Sequence, residues 1–149
     1  VTLSTVVRRS DQITAAELYA VLRLRVDVFV VEQECAYPEL DGLDTLPDTL
    51  HVWTEEDGEV LGCIRVLRHG SDRPAIGRVA TAQAARGRRV AGGLLERGIE
   101  LCGPTATIDL HAQEHLEQWY GRYGFVRDGA THDEDGIPHV PMIRVPATA

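Results

Sequence analysis

Three features of the sequence predict an α/β fold built on a mixed sheet flanked by helices. β-Branched runs alternate with amphipathic segments, an Asp-Gly hairpin signal joins two such runs, and a glycine- and arginine-rich turn links a strand to a helix. The expected order is β, α, loop, β, β, β, α, β, α, β, β. A chain of 149 residues matches one domain, 1–149, with a single continuous core.

Thr2 to Arg8 is the first strand, and Asp11 to Thr14 supply polar groups that can cap the helix after it. From Leu18 onward Val21, Leu22, Val26 and Phe29 fall near one helical face. Glu32 to Thr49 carries Pro38, Gly42 and Pro47 among acidic residues with no steady period, so it reads as a long functional loop. Leu50–Trp53 and Val60–Leu67 pair as a hairpin across Asp57-Gly58. Ala75–Thr81 is the next strand. The helix Val90–Cys102 shows Ala91, Leu94, Leu95, Gly98 and Cys102 on one face and ends at Gly103-Pro104, where a flexible residue precedes one lacking a backbone donor. Thr105–Leu110 is a short strand, His115–Tyr123 a short helix stopped by Gly124, and Phe125–Arg127 a strand start. After a turn at Asp135-Gly136, Ile137–Val145 closes the sheet. Pro138 and Pro141 mark it as an edge, open to pairing with a second copy in a homodimer.

Composition excludes several functions. With 44% hydrophobic and 26% charged residues and no apolar run long enough to span a bilayer, a soluble protein without a membrane partner is expected. The N-terminal residues lack the pattern of a signal peptide, which points to the cytoplasm. Cys35, Cys63 and Cys102 fit neither a disulfide framework nor a metal knuckle, and the histidines fall at no ligand spacing, so free thiols and no metal are expected. A net charge of -8 disfavours nucleic acid and favours a cationic partner. All basic residues are arginine, for which the chemistry below gives no reason.

The most informative stretch runs from Ile76 to Leu95: strand, Gly/Arg turn, helix start. Unpaired N–H groups at a helix N-terminus, with small residues around them, suit a pyrophosphate, and Arg86, Arg88 and Arg89 add charge. A solvated basic turn is the plainer reading of the same residues. A Walker loop is a poor match, because no Lys-Ser or Lys-Thr follows the glycines.

Arg86-Gly-Arg-Arg-Val-Ala-Gly-Gly-Leu-Leu95 resembles the Q/R-x-x-G-x-G/A loop of the GNAT N-acetyltransferases, with Arg89 in place of the middle glycine. Downstream, Gln113-Glu-His-Leu-Glu-Gln-Trp-Tyr-Gly-Arg-Tyr-Gly-Phe125 is similar to that family's N-x-x-A-x-x-F-Y-x-x-x-G-F segment. Arg25-Val-Asp-Val-Phe-Val-Val-Glu-Gln33, Asp41-Gly-Leu-Asp44, Ile76-Gly-Arg-Val79 and Glu134-Asp-Gly-Ile-Pro-His139 extend the resemblance to the ElaA-like branch, which tolerates a basic residue at the middle position.

The resemblance implies the GNAT fold: a mixed, mostly antiparallel sheet of six to seven strands, about four flanking helices, and fourth and fifth strands that splay apart. It implies acetyl-CoA as donor, an amine acceptor, and direct attack in a ternary complex. Val79, Ala80 and Thr81 would bind the pantetheine arm. Arg86, Gly87, Arg88, Arg89, Val90, Ala91 and Gly92 would hold the pyrophosphate, with Gln113 across the arm. Tyr120 would act as general acid, since a phenol with a pKa of about 10 stays protonated at neutral pH. Glu32 is the first choice of general base, ahead of Asp41, Asp44 and His51. A non-catalytic acyl-CoA sensor and an interaction domain on the same scaffold remain alternatives; the sensor would not need Tyr120.

Overall fold

Eight strands form one sheet in the order β1-β2-β3-β4-β5-β8-β6, and β7 pairs with β8 on the same side as β6. The computed structural model describes residues 3–147. The strands are β1 (Leu3–Arg9), β2 (Leu50–Glu56), β3 (Glu59–Leu67), β4 (Ala75–Thr81), β5 (Ile108–Gln113), β6 (Val126–Arg127), β7 (His132–Glu134) and β8 (Ile137–Arg144). The α-helices are α1 (Ala15–Val26), α2 (Val90–Cys102) and α3 (Glu117–Gly121). Six to seven strands and about four helices were expected. The additional strand is β7, too short to leave a signal in the sequence; three α-helices are present among the described residues, and α1 continues as a π-helical segment over Asp27–Glu32. The first expected strand began at Thr2, which lies outside the described residues; β1 is seen from Leu3.

Thr14 caps α1 in a reciprocal box: Glu17 N–H donates to Thr14 Oγ1 at 3.1 Å, and Thr14 N–H to Glu17 Oε1 at 2.9 Å. Val21, Leu24 and Val28 form the buried face and pack with Trp53, Cys63 and Ala80 on one side of the sheet. The other side carries the larger core, where Leu94 and Leu95 of α2 meet Ile64, Ile76, Ile108, Leu110 and Val140. Each such leucine contributes roughly 2 kcal/mol. Gly98 lets α2 lie flush on the sheet, since a Cβ there would stand 2.6 Å from Ile64 Cδ1.

All neighbouring strands run antiparallel except β4 and β5. That parallel pair touches at one register position, Ala75↔Asp109, and then diverges. β4 also bulges: Cys63↔Ala80 is followed by Arg65↔Gly77, one residue more on β4 than on β3, and Arg78 takes φ 52°.

β8 is not an edge. It lies between β5 on one side and β6 and β7 on the other, so dimerisation by addition to β8 is ruled out. Its prolines sit where no ladder donor is needed. Pro141 accepts from Asp128 N–H in the gap between β6 and β7, and Pro138 lies one residue beyond the last β5 pairing, Gln113↔His139.

The long loop after α1 is held down by charge. Arg25, only 1% exposed, donates to Glu39 Oε2 at 2.7 Å and to Asp44 at 2.6 and 3.1 Å. Arg65 donates to Asp41 through two 2.9 Å bonds and to Asp44 at 3.3 Å. Arg78 Nε lies 2.7 Å from Glu39 Oε2 as an ion pair outside hydrogen-bonding angle, and its NH2 donates to Asp41 at 3.3 Å. The Tyr37 hydroxyl also bonds Glu39. Three arginines and three carboxylates thus neutralise one another.

Candidate active site

The divergence of β4 from β5 opens a groove of about 960 Å³, continuous with a second depression of about 730 Å³ at the head of α2. Val79, Ala80, Thr81, Arg86, Ala91, Gln113, Tyr120 and Glu32 line the groove. Arg86, Gly87, Arg89, Val90, Ala91 and Gly92 line the second depression. Of the residues expected to bind the donor, Arg88 alone borders neither; it donates to Glu56 at 2.7 and 3.3 Å.

The β4–α2 turn achieves its shape with two left-handed residues, Gly87 at φ 84° and Arg89 at φ 61°, ψ 25°. Arg89 therefore adopts the backbone angle that a glycine would reach without strain, at roughly 1–2 kcal/mol. It is the N-cap of α2 and no side chain caps the helix there, so the first-turn N–H groups face the depression without a side-chain acceptor. Tyr123 packs over Gly92, where a Cβ would come within 2.5 Å of its hydroxyl oxygen.

The end of α1 reaches across the groove. Arg86 binds both oxygens of Glu32 at 2.6 and 2.7 Å and donates to Thr81 O at 3.1 Å. The hydrogen bond from Arg86 holds the Glu32 carboxyl below its usual pKa, which makes Glu32 a weaker base while the pair lasts. Gln113 donates to Gln33 Oε1 at 3.2 Å, and Cys35 Sγ lies 3.4 Å from Asp135 O. A widened helical turn at a functional surface accounts for this reach, because the π-helical segment carries Glu32 and Gln33 outward.

Asp41, Asp44 and His51 do not line the groove. Burial pushes the two carboxyl groups up, but Arg65 acting on Asp41, and Arg25 with Arg65 on Asp44, outweigh it and leave both lowered. His51 is wholly buried with Nε2 2.9 Å from Asp44 O, and burial lowers its pKa. These three hold the loop in place, and the charges of Glu39, Asp41 and Asp44 are spent on Arg25, Arg65 and Arg78.

Tyr120 is 4% exposed, stands edge-on to Trp119 and Phe125, and burial pushes its phenol well above the ordinary value. It stays protonated throughout the neutral range.

Strand alternation puts Leu110, Ala112, Val140 and Met142 into the α2-side core, and His111, Gln113 and His139 on the opposite face. There His111 Nδ1 and His132 Nε2 both meet Glu134 Oε2, at 2.9 and 2.7 Å. The sequence reading ended β5 at Leu110 and missed this group. The alternation of polar Asp109, His111 and Gln113 with apolar neighbours was the signal that would have extended the strand.

Residues 23–145 match the acetyltransferase (GNAT) domain model, and the chain belongs to that family. Within it the chain is ElaA-like. Protein ElaA of Escherichia coli is 37% identical over 139 residues, covering 90% of this chain and 91% of that protein. A UPF0039 protein of Mycobacterium tuberculosis is 46% identical over 140 residues, covering 91% and 88%. Among solved structures, an acyl-CoA N-acyltransferase from Pseudomonas aeruginosa superposes with TM-score 0.91 at 40% identity, covering 97% of this chain and 100% of that one. The crystal structure of E. coli ElaA gives TM-score 0.89 at 34% identity, covering 96% and 99%. The GNAT fold with its parted fourth and fifth strands is thereby established.

Proposed function

We propose that this protein transfers an acetyl group from acetyl-CoA to a primary amine of a small molecule or protein, by direct attack within a ternary complex. The observation that carries this reading is the parting of β4 from β5 after their one pairing at Ala75↔Asp109, which leaves the Thr81 end of β4 open where the chain turns into the uncapped head of α2. An extended arm bearing amides fits the unpaired edge of β4 at Val79 and Thr81, and a diphosphate fits the turn from Arg86 to Gly92. The similarity to the P. aeruginosa acyl-CoA N-acyltransferase supports the donor.

In this reading the amine nitrogen attacks the thioester carbonyl, a tetrahedral oxyanion forms, and the C–S bond breaks. The bulge at Arg78 turns backbone out of the ladder beside the site of attack, where an N–H group can stabilise the oxyanion. Tyr120 gives its proton to the departing thiolate sulfur. Of the four groups read as proton acceptors, Glu32 is the one that lines the groove. It becomes available to the incoming ammonium once the diphosphate displaces it from Arg86.

The test is thiol release from acetyl-CoA over a panel of polyamines, aminoglycosides, amino acids and peptide N-termini, paired with calorimetry of CoA binding. Tyr120→Phe is expected to lower kcat by about 10²- to 10⁴-fold with CoA affinity unchanged. Unaltered kcat in that variant removes Tyr120 as the acid. Binding without turnover on any amine supports the sensor instead, and no heat with CoA at millimolar concentration ends the reading altogether.

A further inference from the structure

We propose that His111, His132 and Glu134 form a binding site for a divalent transition metal, Zn²⁺ in the first instance, on the α1 side of the groove mouth. Among the described residues they are the one group of three or more metal-ligating side chains whose ligand atoms all lie within 4.8 Å of one another. None of the three has a part in the acyl transfer described above, so the site stands or falls independently of it.

The strands arrange the group. His132 and Glu134 are two residues apart on β7 and so share a face of the sheet. His111 comes from β5, and β8 runs between them, with His139 opposite both His132 and Gln113. The imidazoles reach over β8 from either side and meet edge to face, their ring centroids 5.4 Å apart. Glu134 Oε2 receives both, His111 Nδ1 at 2.9 Å and His132 Nε2 at 2.7 Å.

These separations suit a small ion. Zinc bonds of about 2.0–2.1 Å at tetrahedral angles space neighbouring ligand atoms roughly 3.3 Å apart. Two of the separations, 2.9 and 2.7 Å, lie just under that spacing and the third is within 4.8 Å, so small side-chain adjustments replace two hydrogen bonds to one oxygen with three bonds to a metal. The two ring nitrogens enter as neutral donors, and any proton they carry leaves to solvent. Two imidazoles and one carboxylate match Zn²⁺ and its first-row neighbours, whereas Ca²⁺ and Mg²⁺ call for oxygen ligands throughout. Three protein ligands leave a coordination position open. His111 and Glu134 both line the groove, so that position faces it and can take water or an oxygen or nitrogen of a bound molecule.

The experiment is calorimetric titration of the chelator-treated full chain with ZnCl₂, followed by the visible spectrum of the Co²⁺ form. One saturable equivalent is expected. His111→Gln and His132→Gln should each weaken binding at least about tenfold, the loss known even for outer partners of a metal site. Cys35→Ser, whose thiol lies near Asp135, should leave binding unchanged. Co²⁺ bound by nitrogen and oxygen should show d–d bands without thiolate charge transfer, a readout that needs no variant to fold. No saturable binding at millimolar Zn²⁺, full affinity in the His111→Gln/His132→Gln double variant, or a thiolate charge-transfer band would each overturn the site.

Discussion

Two groups of arginines look alike in the sequence and behave as opposites in the structure. Arg25, Arg65 and Arg78 are drawn from separate elements into a network with Glu39, Asp41 and Asp44, where Arg25 is 1% exposed and every charge has a fixed counterpart. Arg86, Arg88 and Arg89 are exposed neighbours on one turn, and Arg86 holds Glu32 in a pair open to solvent. Buried charge fixes structure because removing either partner strands the other away from water. Exposed charge is exchangeable, because water or a competing anion can take the partner's place. Position in the fold decides which task an arginine performs.

The largest expected effect tests the first half of that contrast. Arg25→Ala leaves Glu39 and Asp44 without their main partner and should destabilise the fold by about 3–5 kcal/mol in chemical denaturation. A loss below about 1 kcal/mol, as for a surface pair, would mean that the network is not closed to solvent.

A pH series gives a smaller effect. The folded pKa of His51 is lowered by burial, so its contribution is complete above the unfolded value of about 6.5 and falls away as the pH drops below it. Asp41 and Asp44, also lowered, add their loss only below about pH 3.9. The denaturation midpoint should therefore decline as the pH falls below about 6.5, before the carboxylates titrate, and His51→Gln should flatten that decline. An unchanged slope in the variant would assign the decline elsewhere.

The smallest effect on stability belongs to Arg86→Ala, under about 1 kcal/mol, while CoA affinity should fall about tenfold or more. Equal losses in both measurements would erase the distinction between the two clusters.

Much of the fold was legible because it is local. The face of α2 defined by Leu94, Leu95, Gly98 and Cys102 follows from helical period, and the β2–β3 hairpin from Asp57-Gly58. The strand, turn and helix start from Ile76 to Leu95 was readable for the same reason, as was the resemblance carried by Tyr120. What escaped depends on pairing over distance. Arg25 meets Glu39 and Asp44 14 and 19 residues away, and Arg65 meets Asp41 across 24, through a loop whose lack of period concealed its order. Pro138 and Pro141 suggested an edge because sequence shows a missing donor but not the direction in which it would have pointed. The π-helical turn at Asp27–Glu32 likewise leaves no period distinct from an ordinary helix.

The parting of β4 from β5 gives the sheet margins in its interior. An eight-stranded sheet ordinarily has two rims, which natural proteins keep short or twisted to prevent strand addition. Here β1 and the short pair β6 and β7 guard the outer rims, yet two further rims face each other across the middle. Unpaired backbone on both inner rims would accept any extended run of amides alike, so under the function proposed above selectivity would have to come from the ends of the slot, from Arg86 and its turn at one end and from the side chains of β5 and β7 at the other.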